Sequence, residues 1–424
     1  SLPRATVAAC PPLPPRLAPP ADRPRYALRV DVRPRDRVAE GTVEVRFTPD
    51  IDTDRLVFRL WPNGPRQAAA GARMETGPVH VDGREVAATL ESPTMLVVPV
   101  ATGAGRTVVA SVPWTLTLPG PIRDRIAVEG DAVRLGSFFP ILEWEPGVGW
   151  NTRPPTSQFS EASTAPTADF DLTVTTPAGF GVVATGMSDR PGHWTATAVR
   201  DVAVAVGRFT VVTGTANAPD PVQVTVGVHA GIDDAPADYL RQSVAVLEDF
   251  GRRFGAYPWS TFSVSVTPTL RSGIEYPTHV MHGPDTLGAT LTHEIGHQWF
   301  YGLVGNNQAR DPWLDEGLAM WTEATGQGAL ARYRARAVPP EVRGRLGEPM
   351  TYWDPRSSVF FAGVYLQGLQ AVAALGPAEL VDCALRVFVA QNAYRIATPG
   401  DFFAAAAAVF PGPEATLAQY GLRP

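Results

Sequence analysis

The 424-residue sequence contains no lysine, so all 36 of its basic side chains are arginine, set against 42 acidic ones. No stretch gathers the basic side chains that would neutralise a row of phosphates, and we therefore predict no nucleic-acid binding. Charged residues make up only 18% of the chain and hydrophobic residues 45%. This composition is typical of a folded protein, and the length predicts at least two hydrophobic cores.

Long hydrophobic runs are also lacking. The longest one, at residues 402–410, has about half the length needed to cross a bilayer, and its alanine-rich composition suits a short buried helix. We therefore predict no transmembrane span.

Cysteine is scarce, with only Cys10 and Cys383, which lie too far apart in sequence for the spacing of metal ligands. Three interpretations stay open. The two could form a disulfide between an N-terminal arm and a C-terminal helix, they could be unrelated thiols, or Cys10 could carry a lipid, because residues 7–10 (Val-Ala-Ala-Cys) resemble a bacterial lipobox. The first and third predict an extracytoplasmic protein, secreted or lipid-anchored, and a cytoplasmic location stays open.

The chain divides into three regions by composition. Residues 1–25 form a proline-rich arm, which favours an extended linker. Residues 26–209 carry short alternating segments separated by turn residues, which predicts an all-β domain with a saddle-like or sandwich-like form. Residues 210–424 combine a few strands with longer helical patterns and form a predicted second domain. The oligomeric state stays open.

The predicted elements of the second domain follow hydrophobic periodicity and helix-capping residues. We expect strands at 222–228, 262–266 and 278–282, and helices at 235–254, 285–304, 312–325, 358–375, 377–393 and 399–409.

Residues 293–297 read His-Glu-Ile-Gly-His. On a helix, two histidines four positions apart project from the same face, so His293 and His297 can bind one metal ion. Catalytic zinc usually takes three protein ligands, and the candidate for the third is Glu316 on the next predicted helix, with eighteen residues between it and His297. Glu294 points away from the ligand face, where it can take a proton from the attacking water. The motif thus predicts one Zn²⁺ per chain and hydrolysis.

This pattern resembles the aminopeptidase N family of gluzincin metallopeptidases, since Glu316 lies within Trp-Leu-Asp-Glu-Gly-Leu-Ala at 313–319 and His-Gln-Trp-Phe follows at 297–300. The resemblance covers most of the chain after the arm. It implies a β domain followed by a thermolysin-like α+β catalytic domain. Family members commonly continue with a further β domain and a helical domain, and because this sequence ends at Pro424 we expect a short form.

Residues 272–276 (Ser-Gly-Ile-Glu-Tyr) resemble the Gly-x-Met-Glu-Asn exopeptidase motif of that family, with substitutions at three positions. The resemblance implies that Glu275 binds the free α-amino group of a peptide. A second group that helps to bind the amine is expected from the β domain, and Asp131, Glu143 and Glu145 are all candidates.

The family also uses a downstream tyrosine to stabilise the oxyanion of the tetrahedral intermediate. Tyr365 is the candidate, because Tyr-Leu-Gln-Gly at 365–368 resembles the family's Tyr-x-Lys-Gly segment, and Tyr352 is the reserve. Asp315 and Glu323 are candidates to orient the ligand histidines, or are solvated helix residues. His279 and His282 lie near the motif in sequence and are expected to line the cleft.

Together these features predict a zinc metallopeptidase acting on peptides, with an aminopeptidase as the first interpretation. An endopeptidase or oligopeptidase with an open cleft is the first alternative. The second is a non-catalytic, zinc-binding surface protein.

Overall fold

The computed structural model describes residues 8–157 and 163–424. The N-terminal region is β-rich. Its described strands are β1 (Arg25–Arg33), β2 (Val38–Phe47), β3 (Leu56–Arg59), β4 (Arg73–Thr76), β5 (Val79–Val81), β6 (Arg84–Val86), β7 (Thr89–Ser92), β8 (Met95–Val98), β9 (Val108–Thr117), β10 (Ala127–Glu129), β11 (Ala132–Gly136), β12 (Ile141–Leu142), β13 (Trp144–Glu145), β14 (Gly149–Trp150), β15 (Ala168–Thr175), β16 (Gly181–Ala184), β17 (Met187–Arg190), β18 (His193–Val199) and β19 (Ala203–Gly207). A short helix, α1 (Pro65–Ala69), interrupts them.

The main sheet of this region runs in the order β17-β18-β15-β1-β2-β9-β5-β6, with β4 also paired to β9. Alternate residues of its long central strands are buried, as the period-two pattern predicts. Leu28, Val43 and Val112 lie side by side across β1, β2 and β9, and all three are fully buried. Such rows of β-branched and aliphatic side chains supply the core of the β domain.

The second region is an α+β domain, so the predicted fold class is confirmed. Its strands are β20 (Phe209–Asn217), β21 (Pro221–His229), β22 (Thr261–Val266), β23 (Gly273–Tyr276), β24 (His279–His282), β25 (Gly305–Asn306) and β26 (Ile396–Ala397). Its helices are α2 (Pro236–Phe254), α3 (Ala289–Gly296), α4 (Trp313–Gly326), α5 (Leu330–Arg334), α6 (Met350–Trp353), α7 (Ser357–Phe360), α8 (Gln367–Ala373), α9 (Ala378–Asn392), α10 (Pro399–Ala407) and α11 (Pro413–Ala418). The predicted domain boundary at 209/210 stays a prediction.

The sheet of the second domain has the order β20-β21-β22-β24-β23, which leaves β23 at one edge among the described strands. Helix α3 packs beside β23, and α4 packs against α3. This arrangement brings the predicted metal ligands next to the edge strand.

The helix predicted at 285–304 is wrong in its bounds, because α3 spans only Ala289–Gly296. Gly288 precedes it with a φ of 82°, a left-handed conformation that an α-helix cannot contain. Tyr301 has a φ of 126°, which keeps the helix from continuing to Val304. The helix predicted at 358–375 is α7 and α8 joined by a π-helical turn, Phe361–Leu366.

Hydrogen bonds from buried arginines link the two domains. Arg134 of β11 donates to the carbonyl of Pro268 at 2.7 Å, and Arg200 donates to the carbonyls of Tyr301 at 2.9 Å and Arg395 at 2.6 Å. Because each guanidinium has several donors in fixed directions, one side chain can satisfy several loop carbonyls of the other domain.

The proline-rich arm lies along the helices of the second domain. The amide of Leu17 donates to the carbonyl of Ala390 at 3.1 Å, and Cys10 forms a disulfide with Cys383 of α9, with 5.8 Å between their Cα atoms. A thioether-linked lipid would need the same sulfur of Cys10, so the structure favours the disulfide among the three interpretations. Val7 of the predicted lipobox lies outside the described residues.

No helix in the described part of the chain has, by itself, the length and hydropathy to cross a bilayer. One pair, Met350–Ala373 and Ala378–Asn392, meets these criteria together but is bent by 108°.

Candidate metal centre

Helices α3 and α4 bring His293, His297 and Glu316 to one point. A β-carbon at Gly296 would lie 2.0 Å from Oγ1 of Thr322 on α4, so only glycine allows the two helices to approach this closely. The short separation places the imidazoles of α3 opposite the carboxylate of α4.

The three ligand atoms form a nearly equilateral triangle. Nε2 of His293 lies 3.1 Å from Nε2 of His297, and Oε2 of Glu316 lies 3.2 Å from the first and 3.3 Å from the second. Tetrahedral zinc with bonds of about 2.0–2.1 Å separates its ligands by roughly 3.3–3.4 Å. All three side chains are buried, and two imidazoles with one carboxylate are a donor set that suits catalytic zinc. The residues therefore fit one Zn²⁺.

Hydrogen bonds orient both imidazoles toward this point. Nδ1 of His293 lies 3.2 Å from Oε2 of Glu323, whose other oxygen accepts the hydroxyl of Tyr333 at 2.6 Å. Nδ1 of His297 lies 3.1 Å from the carbonyl oxygen of Phe300. An Nδ1–H that donates to an oxygen leaves Nε2 as the free lone pair for a metal. Glu323 thus occupies the orienting position that was predicted.

Asp315 differs from its prediction. It is buried rather than solvated, but its carboxylate accepts the side-chain amide of Gln308 at 2.9 Å and the backbone amide of Glu316 at 2.8 Å. The same backbone amide of Glu316 also donates to the carbonyl of Pro312 at 3.3 Å, so Asp315 gives it a second acceptor. Asp315 therefore supports Glu316 rather than a histidine.

Glu294 lies beside the metal ligands and faces the edge strand. Its Oε2 is buried without a hydrogen-bond partner among the described residues. Burial raises the pKa of Glu294 to about 8, although the nearby His293 opposes this shift. A carboxylate with a pKa close to neutrality is suited to accept and return a proton.

Glu275 projects from β23 into the same space. It is 6% exposed, and its Oε1 is also without a partner among the described residues. Carboxylate oxygens of Glu275 and Glu294 and a ring nitrogen of His297 all lie within 4.8 Å of one another. Burial raises the pKa of Glu275, against the opposing effect of His297. Glu275 is therefore available to a cationic group that enters beside the metal ligands.

Tyr365 lies on the other side of the metal ligands, in the π-helical turn. Its ring stacks on His293 with the centroids 5.7 Å apart and an angle of 15° between the planes, and its hydroxyl is hydrogen-bonded to Glu316. Burial and the charge of Glu316 raise the pKa of Tyr365 well above its usual value, so the phenol keeps its proton. The reserve candidate Tyr352 packs instead against Trp353 and under Arg356.

A cavity of about 500 Å³ is lined by the three predicted metal ligands together with Glu275, Glu294 and Tyr365. Sequence reasoning missed several of its lining residues, namely Arg66, Arg123, Arg271, Phe360 and Phe361. Arg271 directly precedes the 272–276 motif, and this position in the sequence could have predicted that it lies at the site. The other four come from loops and helices that no motif connects to the metal ligands.

The expectation that His279 and His282 line the cleft is wrong. Both are fully buried, with His279 bonded to Ser263 at 2.7 Å and His282 to Thr286 at 2.9 Å. Burial lowers the pKa of each to about 3, so both are neutral. Proximity in sequence failed here because all four residues of β24 are buried, on both faces of the sheet.

The three β-domain candidates for a second amine-binding group also lie elsewhere. Asp131 contacts His229 at 2.7 Å, and Glu145 contacts Arg310 at 3.1 Å. Glu143 accepts a hydrogen bond from the indole N–H of Trp61 at 2.6 Å, inside the β domain. The contacts of Asp131 and Glu145 join the two domains, that of Glu143 lies within the β domain, and none of the three carboxylates is among the lining residues of the metal cavity.

Comparison with known proteins agrees with this geometry. Residues 281–345, which include His293, His297 and Glu316, match the family model of the peptidase family M1 domain. A segment of 106 residues is 27% identical to leucine aminopeptidase 2 of Candida albicans, and this match spans 23% of the chain but only 17% of that relative.

Solved structures match over nearly the whole chain. An M1 zinc metallopeptidase from Deinococcus radiodurans has a TM-score of 0.71 at 22% identity, with 95% of both chains covered. A mutant of that enzyme bound to the substrate Tyr-Ser-Ala has a TM-score of 0.71 at 20% identity, again with 95% of both chains covered. Over this length the chain shares the fold of an M1 zinc metallopeptidase, and the segment that carries the predicted metal ligands matches the peptidase family M1 domain.

Proposed function

We propose that this protein is a zinc-dependent aminopeptidase, which removes the N-terminal residue of a peptide. The observation that carries the proposal is the position of Glu275, a buried carboxylate whose Oε1 has no partner among the described residues and which lies within 4.8 Å of Glu294 and His297. An unpaired carboxylate binds an α-ammonium group. An ammonium held at this place puts the first peptide bond beside the metal ligands.

Each remaining side chain has a role in the cleavage. When bound, zinc polarises the scissile carbonyl and lowers the pKa of a water molecule. Glu294 takes a proton from the attacking water and transfers it to the leaving amino group. The hydroxyl of Tyr365 donates a hydrogen bond to the carbonyl oxygen as that oxygen gains negative charge. Edge strand β23 offers backbone groups with which an extended peptide can pair.

Two relatives support this proposal. The Candida albicans relative is named a leucine aminopeptidase, and the Deinococcus radiodurans mutant is described as bound to a Tyr-Ser-Ala substrate. Both names agree with a site that binds an α-amino group.

The test is hydrolysis of matched aminoacyl fluorogenic substrates with free and N-acetylated amines. Glu294→Gln, with its zinc content measured, reports on the chemistry, and Glu341→Gln on an exposed position is the matched control. Cleavage of free substrates only, lost in Glu294→Gln with zinc retained, supports the aminopeptidase. Cleavage of blocked substrates would replace it by an endopeptidase, and bound zinc without any cleavage by a non-catalytic surface protein.

We also propose that the protein is extracytoplasmic, since structural disulfides persist in oxidising compartments. The disulfide between Cys10 and Cys383 supports this location. Alkylation of acid-quenched protein from its native source, followed by mass spectrometry, tests the proposal. Alkylated thiols at both cysteines would contradict it, and a lipid on Cys10 would restore the alternative of a lipid anchor.

A further inference from the structure

Three arginines line the cavity beside the proposed catalytic residues. Arg66 and Arg123 come from the β domain and Arg271 from the loop before β23, and all three line the metal cavity. Four glutamates line the same cavity, and all four contact or neighbour the metal ligands: Glu275, Glu294, Glu316 and Glu323. The cavity therefore combines negative side chains at the metal ligands with positive side chains from the β domain and from the loop before β23.

The three arginines differ in how they are held. Nε of Arg66 lies 3.2 Å from Oδ2 of the buried Asp124, and its Nη2 donates to the carbonyl of Arg123 at 3.3 Å. These contacts fix the loop that carries Arg123. The guanidinium groups of Arg123 and Arg271 are exposed and make no ion pair with any described residue. Two cations are thus presented to the cavity without a paired anion among the residues that the structure describes.

The direction of a bound peptide follows from the edge strand. If the α-amino group lies at Glu275, the bond to be cut lies near Glu294, which packs against Gly273. The peptide therefore runs from the level of Glu275 past Gly273 and on toward Arg271. Four residues of extended chain span at most about 13 Å, so the backbone of Arg271 lies level with about the fifth residue of the peptide. Because the side chain of Arg271 lines the same cavity of about 500 Å³ as Glu275 and Glu294, its guanidinium group can reach back to the second or third residue.

We propose that Arg123 and Arg271 select peptides that carry a carboxylate on the second or third residue. The carboxylate is either the free C-terminus of a dipeptide or tripeptide or an acidic side chain of a longer peptide. Charge-assisted contacts between guanidinium and carboxylate suit both sources. The inference rests on the proposed aminopeptidase activity, because the position of the amine sets the position of the carboxylate.

The test compares matched peptides in the zinc-loaded enzyme. Leu-Ala-Ala is measured as free acid and as C-terminal amide, and Leu-Glu-Ala-amide is measured against Leu-Gln-Ala-amide. We expect each carboxylate to raise kcat/KM about fivefold, mainly through KM, since partly exposed pairs contribute modestly. The first pair reports on the terminal carboxylate and the second pair on the acidic side chain.

The variant Arg123→Gln/Arg271→Gln is expected to bring both ratios close to one. Arg84→Gln, an exposed arginine of β6 outside the cavity, is the matched control and should keep the wild-type ratios. The ratio is measured within each variant, so a general loss of activity does not affect it. If wild type cleaves acid and amide equally, or if the double variant keeps the preference, the inference is wrong while the aminopeptidase stands. If no peptide with a free amine is cleaved, the proposed function itself is wrong.

Discussion

The side chain of Glu294 lies directly on the backbone of Gly273. A β-carbon at position 273 would lie 2.2 Å from Cγ of Glu294 and 2.7 Å from its Oε1. Contacts this short do not occur, so the glycine is what allows edge strand β23 and helix α3 to meet at the metal site.

Replacing this glycine therefore moves the proposed base. We expect Gly273→Ala to lower kcat about 100-fold while zinc stays bound, because a displacement of about 1 Å is enough for such a loss. Steady-state kinetics with zinc analysis checks this. Gly103→Ala, where the nearest atom is 3.7 Å away, is the control with full activity. Unchanged kcat in Gly273→Ala would show that Glu294 need not lie where it does.

Glu323 is expected to act on zinc affinity. Glu323→Gln weakens the hydrogen bond to Nδ1 of His293 and should raise the Kd for zinc about 10- to 100-fold. Competition with a chromogenic chelator measures this Kd. Tyr333→Phe, which removes only the hydrogen bond to the far oxygen of Glu323, should give a smaller shift in the same direction. Equal affinity in wild type and Glu323→Gln contradicts the orienting role.

Tyr365 is expected to act on the chemical step. Tyr365→Phe keeps the ring that stacks on His293 and removes the hydroxyl, so kcat should fall about 100-fold with little change in KM. Tyr352→Phe, away from the cavity, should leave both constants unchanged. A fall in zinc content rather than in kcat would make Tyr365 a structural residue.

Asp201 predicts a pH dependence of stability. Its carboxyl group is buried between the hydroxyl of Ser137 and the amide of Val202, and burial raises its pKa to about 7. The unfolded chain releases this proton near the usual pKa of about 3.9, so the folded protein loses stability as the pH rises from about 4 through 7.

Denaturant unfolding of wild type and Asp201→Asn at several pH values isolates this group. The free energy of unfolding of wild type, relative to the variant, should fall by up to about 4 kcal/mol between about pH 4 and pH 8. A constant difference would mean that Asp201 is ionised in the folded protein at every pH tested.

Reduction of the disulfide should lower stability without lowering activity. The bond joins residues 373 apart, so it restricts the unfolded chain strongly, and we expect a loss of about 2–5 kcal/mol. Thermal unfolding with and without a reductant measures the effect. Cys10→Ser/Cys383→Ser should unfold at the lower temperature and be insensitive to the reductant, and a reductant effect on the double variant would point to another cause.

The sequence was most informative where chemistry and helix geometry coincide. Two histidines four apart, and Glu316 after eighteen intervening residues, predicted a site that the structure does assemble, because α3 and α4 are consecutive helices. It failed where a conformation depends on single residues. The positive φ of Gly288 makes the helix begin later than predicted, and the positive φ of Tyr301 keeps it from continuing to Val304.

The sequence also failed to predict which residues far apart in the chain meet at the cavity. Arg123 reaches the cavity only because buried arginines such as Arg134 dock the β domain on the second domain. His279 and Glu143 were candidates by position or charge, yet each satisfies its hydrogen bonds inside a domain. Tertiary packing decides such assignments, and no local pattern reports it.

The bond between Cys10 and Cys383 also closes the polypeptide into a covalent ring that contains the β domain, α3, α4 and β23. A protease that cuts one exposed loop inside this ring opens it but releases no fragment. Both halves stay tethered, and the residues that line the cavity remain at high local concentration. An enzyme built in this way can survive a single cleavage among other proteases, and it falls apart only when a cut and a reductant act together.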